Sequence, residues 1–251
     1  MIPKHILFEQ KSKPQLSDLI TIPLTKHICN RIGKQFKFNG CKFVGRGHRE
    51  FFLLTHSDDH DDWIGVVAWD TLTKGLFELE INKKYQGMGY GLQLLKSIPN
   101  AEYVFSYNKK SDQFYMHHGW IKTDSYWGNI DNTQKYYLLL NPKWNKSVWS
   151  IKPSKYGKGI FSNIYLSEAE NGEGIFLGLA FTKTKNTGNP DQDYARTELG
   201  AYVNHSNKPN IELVQQGKKF LYMVKNEIPK DTELTIDYNT FPWEGKRDFA
   251  K

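Results

Sequence analysis

The chain has 251 residues, 39% of them hydrophobic, and a formal charge of +7 from 34 Lys and Arg against 27 Asp and Glu. That length holds one large domain or two of ordinary size, each with a buried core. The basic excess is spread over the whole chain rather than gathered in an arm, which disfavours a dedicated nucleic-acid-binding segment, and no apolar run reaches the roughly 18 residues of a membrane span. The two cysteines, Cys29 and Cys41, have no metal-ligand spacing and read as free thiols in a reducing compartment. With no signal-peptide run after Met1, a soluble intracellular protein without a structural metal is expected.

Residues 5–9 read as a first strand and residues 16–32 as one or two helices interrupted by Pro23. Residues 36–44 and 50–55 read as paired strands. The polar run from His56 to Asp62 reads as a hairpin tip before a strand over residues 63–69. Its histidines and aspartates have metal-ligand chemistry, but nothing at longer range completes a ligand set, so an exposed acidic turn is the simpler expectation. A strand over residues 75–81 then leads through Gln86, Gly87, Gly89 and Gly91 into a helix over residues 92–98. Glycines let a main chain approach an anion closely, and a helix start adds a positive dipole end. A dinucleotide-binding turn needs another glycine pattern and an acid on the next strand, and residues 103–107 carry none.

Gln86, Gly89 and Gly91 match the pattern of the acyl-CoA pyrophosphate loop of GNAT-type N-acetyltransferases, which this half resembles. The continuation is similar too: a strand over residues 103–107, then Asn108, then Tyr115 in a Phe-Tyr segment, with residues 135–140 as a closing strand. The resemblance implies an acetyl-CoA site in which Gln86, Gly87, Gly89 and Gly91 hold the pyrophosphate. It also implies that Asn108 contacts the pantetheine arm and that Tyr115 protonates the departing thiolate. Tyr115 as a core aromatic is the alternative, and His117 and His118 read as structural or exposed. A base for the incoming ammonium would come from Glu78 or Glu80, which strand alternation puts on one face.

Residues 141–146 include Pro142 and change the pattern, which places a boundary there: a first domain over residues 1–141 and a second over 142–251. The second half reads as short strands, with one helical stretch over residues 192–199 and a candidate mobile loop over 186–190. Gly157-Lys158-Gly159, then a turn over 168–173, then Asn204-His205-Ser206 followed by Pro209-Asn210, and finally Glu233 to Tyr238 form an ordered series. An apolar approach ending in amide, imidazole and hydroxyl groups is composed like a site, and the alternation of Leu234, Ile236 and Tyr238 delivers a phenol at a strand end. Over about residues 145–243 these segments resemble a SET-domain methyltransferase.

The resemblance implies that Gly157, Lys158, Gly159, Asn204 and His205 hold S-adenosylmethionine. Tyr238 would sit beside the transferring methyl, and Phe241 and Trp243 would pack the adenine and flank the lysine stem in place of a zinc module, a hydrophobic tail packed on the core being the alternative for these two. The expected fold is therefore two domains, a mixed α/β GNAT-like acyl-CoA fold followed by a mostly-β SET fold with a C-terminal pseudoknot. The expected partner is a lysine-bearing protein, basic or nucleic-acid-associated, with no membrane contact. A GNAT-like half that only recruits a substrate or a nucleic acid, without catalysis, is the competing reading.

Overall fold

The computed structural model describes residues 19–25, 28, 48–56, 59–98, 100–129, 134–168 and 173–242. The expectations for residues 5–9 and 36–44, for Cys29 and Cys41, for the side chains of the 56–62 run, for most of the 168–173 turn and for Trp243 lie outside the described residues. The chain forms two compact units, one of residues up to 68 with 78–97, the other of residues 69–77 with 98 onward.

In the first unit, β1 (Leu19–Pro23) pairs antiparallel with β2 (Arg49–His56), Ile20 facing Thr55 and Ile22 facing Leu53. This corrects the helix expected there: a five-residue run with Ile20, Thr21 and Ile22 is too short for apolar spacing to separate the two periods, and β-branched side chains favour the pleat. β3 (Asp59–Asp70) starts within the expected hairpin tip and is buried from Trp63 through Trp69, as a strand covered on both faces should be. β4 (Gly75–Ile81) follows, and the strand order is β1-β2-β3-β4. A 3₁₀ turn at Lys83–Tyr85 leads into α1 (Tyr90–Lys96). A side chain at Gly65 would stand 2.6 Å from both Ile81 Cδ1 and Leu94 Cδ1, so glycine lets α1 and β4 close on β3.

In the second unit, β5 (Tyr103–Ser106) runs parallel to the start of β4, Gly75 facing Tyr103. After α2 (Lys109–His117), β6 (Ile121–Asn129) and β7 (Lys135–Leu140) form an antiparallel pair, with β7 also against β5. β8 (Trp149–Ser154) and β9 (Gly157–Ser162) make a hairpin, and β10 (Glu173–Lys183) returns to pair with β6, Phe176 facing Tyr126. Leu138 and Leu140 lie in one buried cluster with Val148, Ile160, Leu177 and Tyr222, so a single core spans residue 141. The 141–146 segment is built in, Asn141 Nδ2 donating to Ala101 O at 3.0 Å and Asn145 Nδ2 to Glu102 Oε2 at 2.9 Å.

The helix expected over residues 192–199 is three elements, α3 (Pro190–Asp193), β11 (Tyr194–Arg196) and α4 (Glu198–Tyr202). Asn189 caps and Pro190 starts the first turn earlier than the apolar pattern suggests. The buried Asp193 carboxylate then accepts from Thr187 N at 2.7 Å, Thr187 Oγ1 at 2.8 Å and Gly188 N at 3.0 Å, bonds that hold its pKa below the ordinary range and tie down the 186–190 loop. Thr197 caps the next helix, accepting from Gly200 N and donating to Leu179 O at 2.6 Å. β12 (Asn204–His205) precedes the antiparallel pair β13 (Ile211–Gln216) and β14 (Lys219–Val224), the latter against β10. The chain then returns as β15 (Thr235–Ile236), parallel to β12.

A Cβ at Gly200 would stand 2.1 Å from Ala180 O, so α4 sits on β10 backbone to backbone. Gly200→Ala is expected to destabilise the protein by about 1–3 kcal/mol as the helix is pushed off the strand. Chemical denaturation checks this through the midpoint, and an unchanged midpoint would mean that α4 is not held there.

Candidate functional site

Residues 233–236 lie between two partners. On one side Leu234 N donates to Ile160 O of β9 at 2.7 Å, and on the other Asn204 faces Thr235 and His205 faces Ile236. Asn210 clasps the segment from both directions, its Nδ2 donating to Glu233 O at 2.8 Å and its Oδ1 accepting from Thr235 N at 2.8 Å. The two sequence segments that announced the site are thus brought together by a side chain whose amide copies a backbone pair.

Asn204 closes the arrangement. Its Nδ2 donates to Glu233 Oε1 at 2.7 Å and to Lys158 O at 3.1 Å, with Ser154 Oγ at 3.3 Å the weakest of three acceptors for two hydrogens. One amide therefore joins the β8–β9 turn to the returning segment. The two glycines of that turn do different work. A Cβ on Gly159 would meet Glu233 Oε1 at 2.2 Å, so its missing side chain makes room for Glu233 and Asn204. Gly157 has φ +105° and nothing within 4 Å of the place a Cβ would take, so there the main chain is open to close approach. Lys158 keeps its ammonium 5.6 Å from the Tyr202 ring centre.

Tyr238 opens a 3₁₀ turn, Tyr238–Thr240, capped by the Asp237 carboxylate. Its backbone N–H donates to His205 Nδ1 at 3.2 Å, and His205 Nε2 faces Asn207 Oδ1 at 3.1 Å, which assigns the ring proton to Nε2. The Tyr238 hydroxyl donates to Val203 O at 2.8 Å, leaving its oxygen lone pairs unspent by that bond. Phe241 stacks on the Tyr238 ring at 5.2 Å and meets the buried Phe181 edge-on at 5.6 Å. Phe241 thus packs between the Tyr238 ring and the buried core. Beneath lies Tyr222, fully buried, its pKa pushed up by burial and then by Tyr238, its hydroxyl without a hydrogen bond.

Gln86, Gly87, Gly89 and Gly91 belong to the first unit. Gln86 Nε2 donates to Ile81 O at 3.0 Å, and Gly87 and Gly89 take φ of +81° and +88° with open space where a side chain would go. Gly91 lies within α1. On β4, burial and then the Glu80 charge push the Glu78 carboxyl up to about 7, and burial raises Glu80 as well. Asn108 and Tyr115 belong to the second unit. Asn108 caps α2, its Oδ1 accepting from Ser111 N at 2.9 Å, so that oxygen serves the helix. Tyr115 is buried against Trp120, ring centres 5.3 Å apart, and burial raises its pKa so that the phenol keeps its proton.

Sequence reasoning missed Glu233 and Asn210 as site-forming residues. Glu233 had a signal, a carboxylate opening a strand otherwise apolar on one face, and Asn210 had one in the Pro-Asn step after the Asn-His-Ser turn. Among the described residues no group of three or more His, Cys, Asp or Glu could hold a metal ion, and no helix is long and apolar enough to cross a membrane.

Because the folded state holds a proton on Glu78 between its ordinary 4.5 and about 7, stability contributed by that group falls as pH rises through this interval. Glu78→Gln removes the penalty of ionising it. The variant is expected to melt at higher temperature than the parent at about pH 8 and alike at about pH 4.5. Melting curves at the two pH values test this, and an equal gap at both would refute the raised pKa.

A family model for the SET domain matches residues 64–239. The match begins well before the Gly157–Gly159 turn, so an order in which a complete acyl-CoA-type domain precedes the SET fold is not supported. Among solved structures, the chain is similar to a Plasmodium falciparum protein described as a histone methyltransferase, at 20% identity and TM-score 0.31 over 40% of this chain and 100% of that one. It is also similar to a spermidine N-acetyltransferase of Vibrio cholerae, at 14% identity and TM-score 0.38 over 49% of this chain and 92% of that one. A third likeness is to Arabidopsis thaliana NAA60 in complex with a bisubstrate analogue, at 15% identity and TM-score 0.38 over 49% and 97%. No curated protein matches the sequence. With the family model spanning most of its length, the chain belongs to the SET-domain family, whose members are protein-lysine methyltransferases.

Proposed function

We propose that the protein transfers a methyl group from S-adenosylmethionine to the side-chain amine of a lysine in a protein substrate, with Tyr238 at the reacting centre. The observation that carries this reading is the Tyr238 hydroxyl, fixed by Val203 O at 2.8 Å, standing in a frame that Asn204 ties to the Gly157–Gly159 turn. The residues suit the cofactor on two counts: the open main chain at Gly157, and an oxygen whose lone pairs can face a partial positive charge. S-adenosylmethionine supplies an electrophilic methyl on a sulfonium. Gly157, Lys158, Asn204 and His205 would bind and orient it, with Gly159 making the room they need. The chain's part in the reaction is positioning, since a neutral amine needs no base at the moment of transfer. The aromatic walls of Phe241 and Phe181 lower the local dielectric, which favours the neutral form of an incoming lysine and strengthens each dipole aimed at the methyl.

A second reading concerns the first unit. Glu78, with its carboxyl near 7, is tuned for accepting a proton from an ammonium at neutral pH, and the open glycines 87 and 89 suit an anion. These favour acetyl transfer from acetyl-CoA to an amine. A unit that recruits substrate without acetylating it remains the alternative, and thermal shift with acetyl-CoA and with S-adenosylmethionine, taken separately, distinguishes the two.

Tyr238→Phe is expected to lower methyl transfer roughly 100-fold or more, since it removes one oxygen at the centre and almost no volume. Turnover at the parental rate in a tritiated-methyl assay would reject the assignment. Asn204→Ala should weaken S-adenosylmethionine binding roughly 10-fold, because the turn and Glu233 lose their shared donor. Calorimetric titration reads this directly, and equal affinity would refute it.

A further inference from the structure

β6 and β10 pair only from Glu173–Asn129 to Phe176–Tyr126, and beyond that point they part. Both break register where they separate, β6 against β7 between Lys122 and Tyr126 and β10 against β14 between Phe176 and Gly178. One last link crosses the gap, Ser125 Oγ donating to Leu177 O at 2.8 Å. Gly178, at φ +140°, takes a backbone conformation that side chains resist, and so holds the parted course of β10. The separation leaves a cavity of about 830 Å³, within the range of about 300–1,000 Å³ typical of small-molecule sites.

Its lining is uneven in charge. Four lysines, Lys122, Lys135, Lys146 and Lys219, face two acids, Asp124 and Glu198. Lys122 is paired with Asp112, but Lys135, Lys146 and Lys219 make no ion pair among the described residues. Lys135 is held in place by the Tyr126 ring, its ammonium 4.4 Å from the ring centre, and Lys122 lies 4.0 Å over Tyr137. Burial, and then the neighbouring Lys219 charge, push the Lys135 pKa down. Cations in excess over the acids of a partly enclosed space favour an anion, and ammonium groups are point-charge binders of phosphate.

We propose that this seam cavity is a second ligand site, separate from the Tyr238 centre, and that it takes a small ligand bearing a phosphate group, held by Lys135 and Lys219. The inference does not depend on methyl transfer. The hydroxyls of Thr123 and Thr197 also line the space, but each spends its one proton on a backbone carbonyl, at 2.9 Å to Leu138 O and 2.6 Å to Leu179 O, so the lysines are left to hold the anion.

The test is calorimetric titration of the full chain with inorganic phosphate, with uridine 5′-monophosphate, and with citrate as an anion lacking phosphate. Saturable binding of either phosphate probe is expected, with the lysine pair Lys135→Gln and Lys219→Gln weakening it about 10-fold or more and Lys185→Gln, on an exposed loop, leaving it unchanged. Tighter binding of the nucleotide identifies an organic phosphate as the ligand, whereas equal binding of inorganic phosphate identifies the free ion. If the double variant fails to give the parental circular dichroism spectrum, the single exposed change Lys219→Glu serves in its place. The proposal is overturned if wild type binds neither phosphate probe saturably, if citrate binds as tightly, or if the lysine variants bind like the parent.

Discussion

The Asn204 side-chain amide is the constraint on which the candidate site depends. Its hydrogen bonds to Glu233 Oε1 and Lys158 O join a hairpin turn to a segment more than seventy residues later. Asn204 and Glu233 are half-buried, so leaving these bonds unmade would strand partly desolvated polar groups. Gly159 and Asn210 follow from it. A side chain at the first would occupy the space of the Glu233 carboxylate, and the second clasps the backbone on which Glu233 is carried. Tyr238 inherits its position, since His205 and Val203, which hold its N–H and hydroxyl, flank Asn204.

Burial raises the pKa of carboxyl and phenol alike, with different chemical consequences. It lifts the Glu78 carboxyl into the neutral range, where it can exchange a proton, while it locks the Tyr115 and Tyr222 phenols in their protonated forms. Tyr222 has no hydrogen bond for its hydroxyl, so it adds packing volume and an unsatisfied dipole beneath the Tyr238 centre. Asp193 shows the reverse case, a carboxylate kept charged by three donors from one loop. Its work is structural: it folds residues 186–190 back on the helix start.

The sheet of the second unit is interrupted where β6 and β10 part, and the interruption has a local cause in each strand. Register breaks twist strands away from their neighbours, and a glycine at positive φ makes the new course available at little cost. Residues that would otherwise face a partner strand then line a space. Lysines suit such walls, because an ammonium can rest over a tyrosine ring, as those of Lys122 and Lys135 do.

The groups of the candidate site were legible in sequence because they come in short, ordered runs: Gly157-Lys158-Gly159, Asn204-His205 and Tyr238 are each read from local composition and turn chemistry. Strands with strict alternation or continuous burial, such as residues 75–81 and 135–140, were legible for the same reason. What pairs with what was not. Nothing local says that Glu233 receives Asn204, that Gly159 is small for Glu233 rather than for a ligand, or that Asn108 spends its carbonyl oxygen on Ser111. The helix expected near residues 16–32 gave way at β1 to a strand because pairing with β2 outweighs the weak preference of so short a run. Sequence determined which chemical groups the chain carries and in what order. Tertiary structure decided which of them meet, since hydrogen bonds and burial between distant residues depend on contacts that no local pattern encodes.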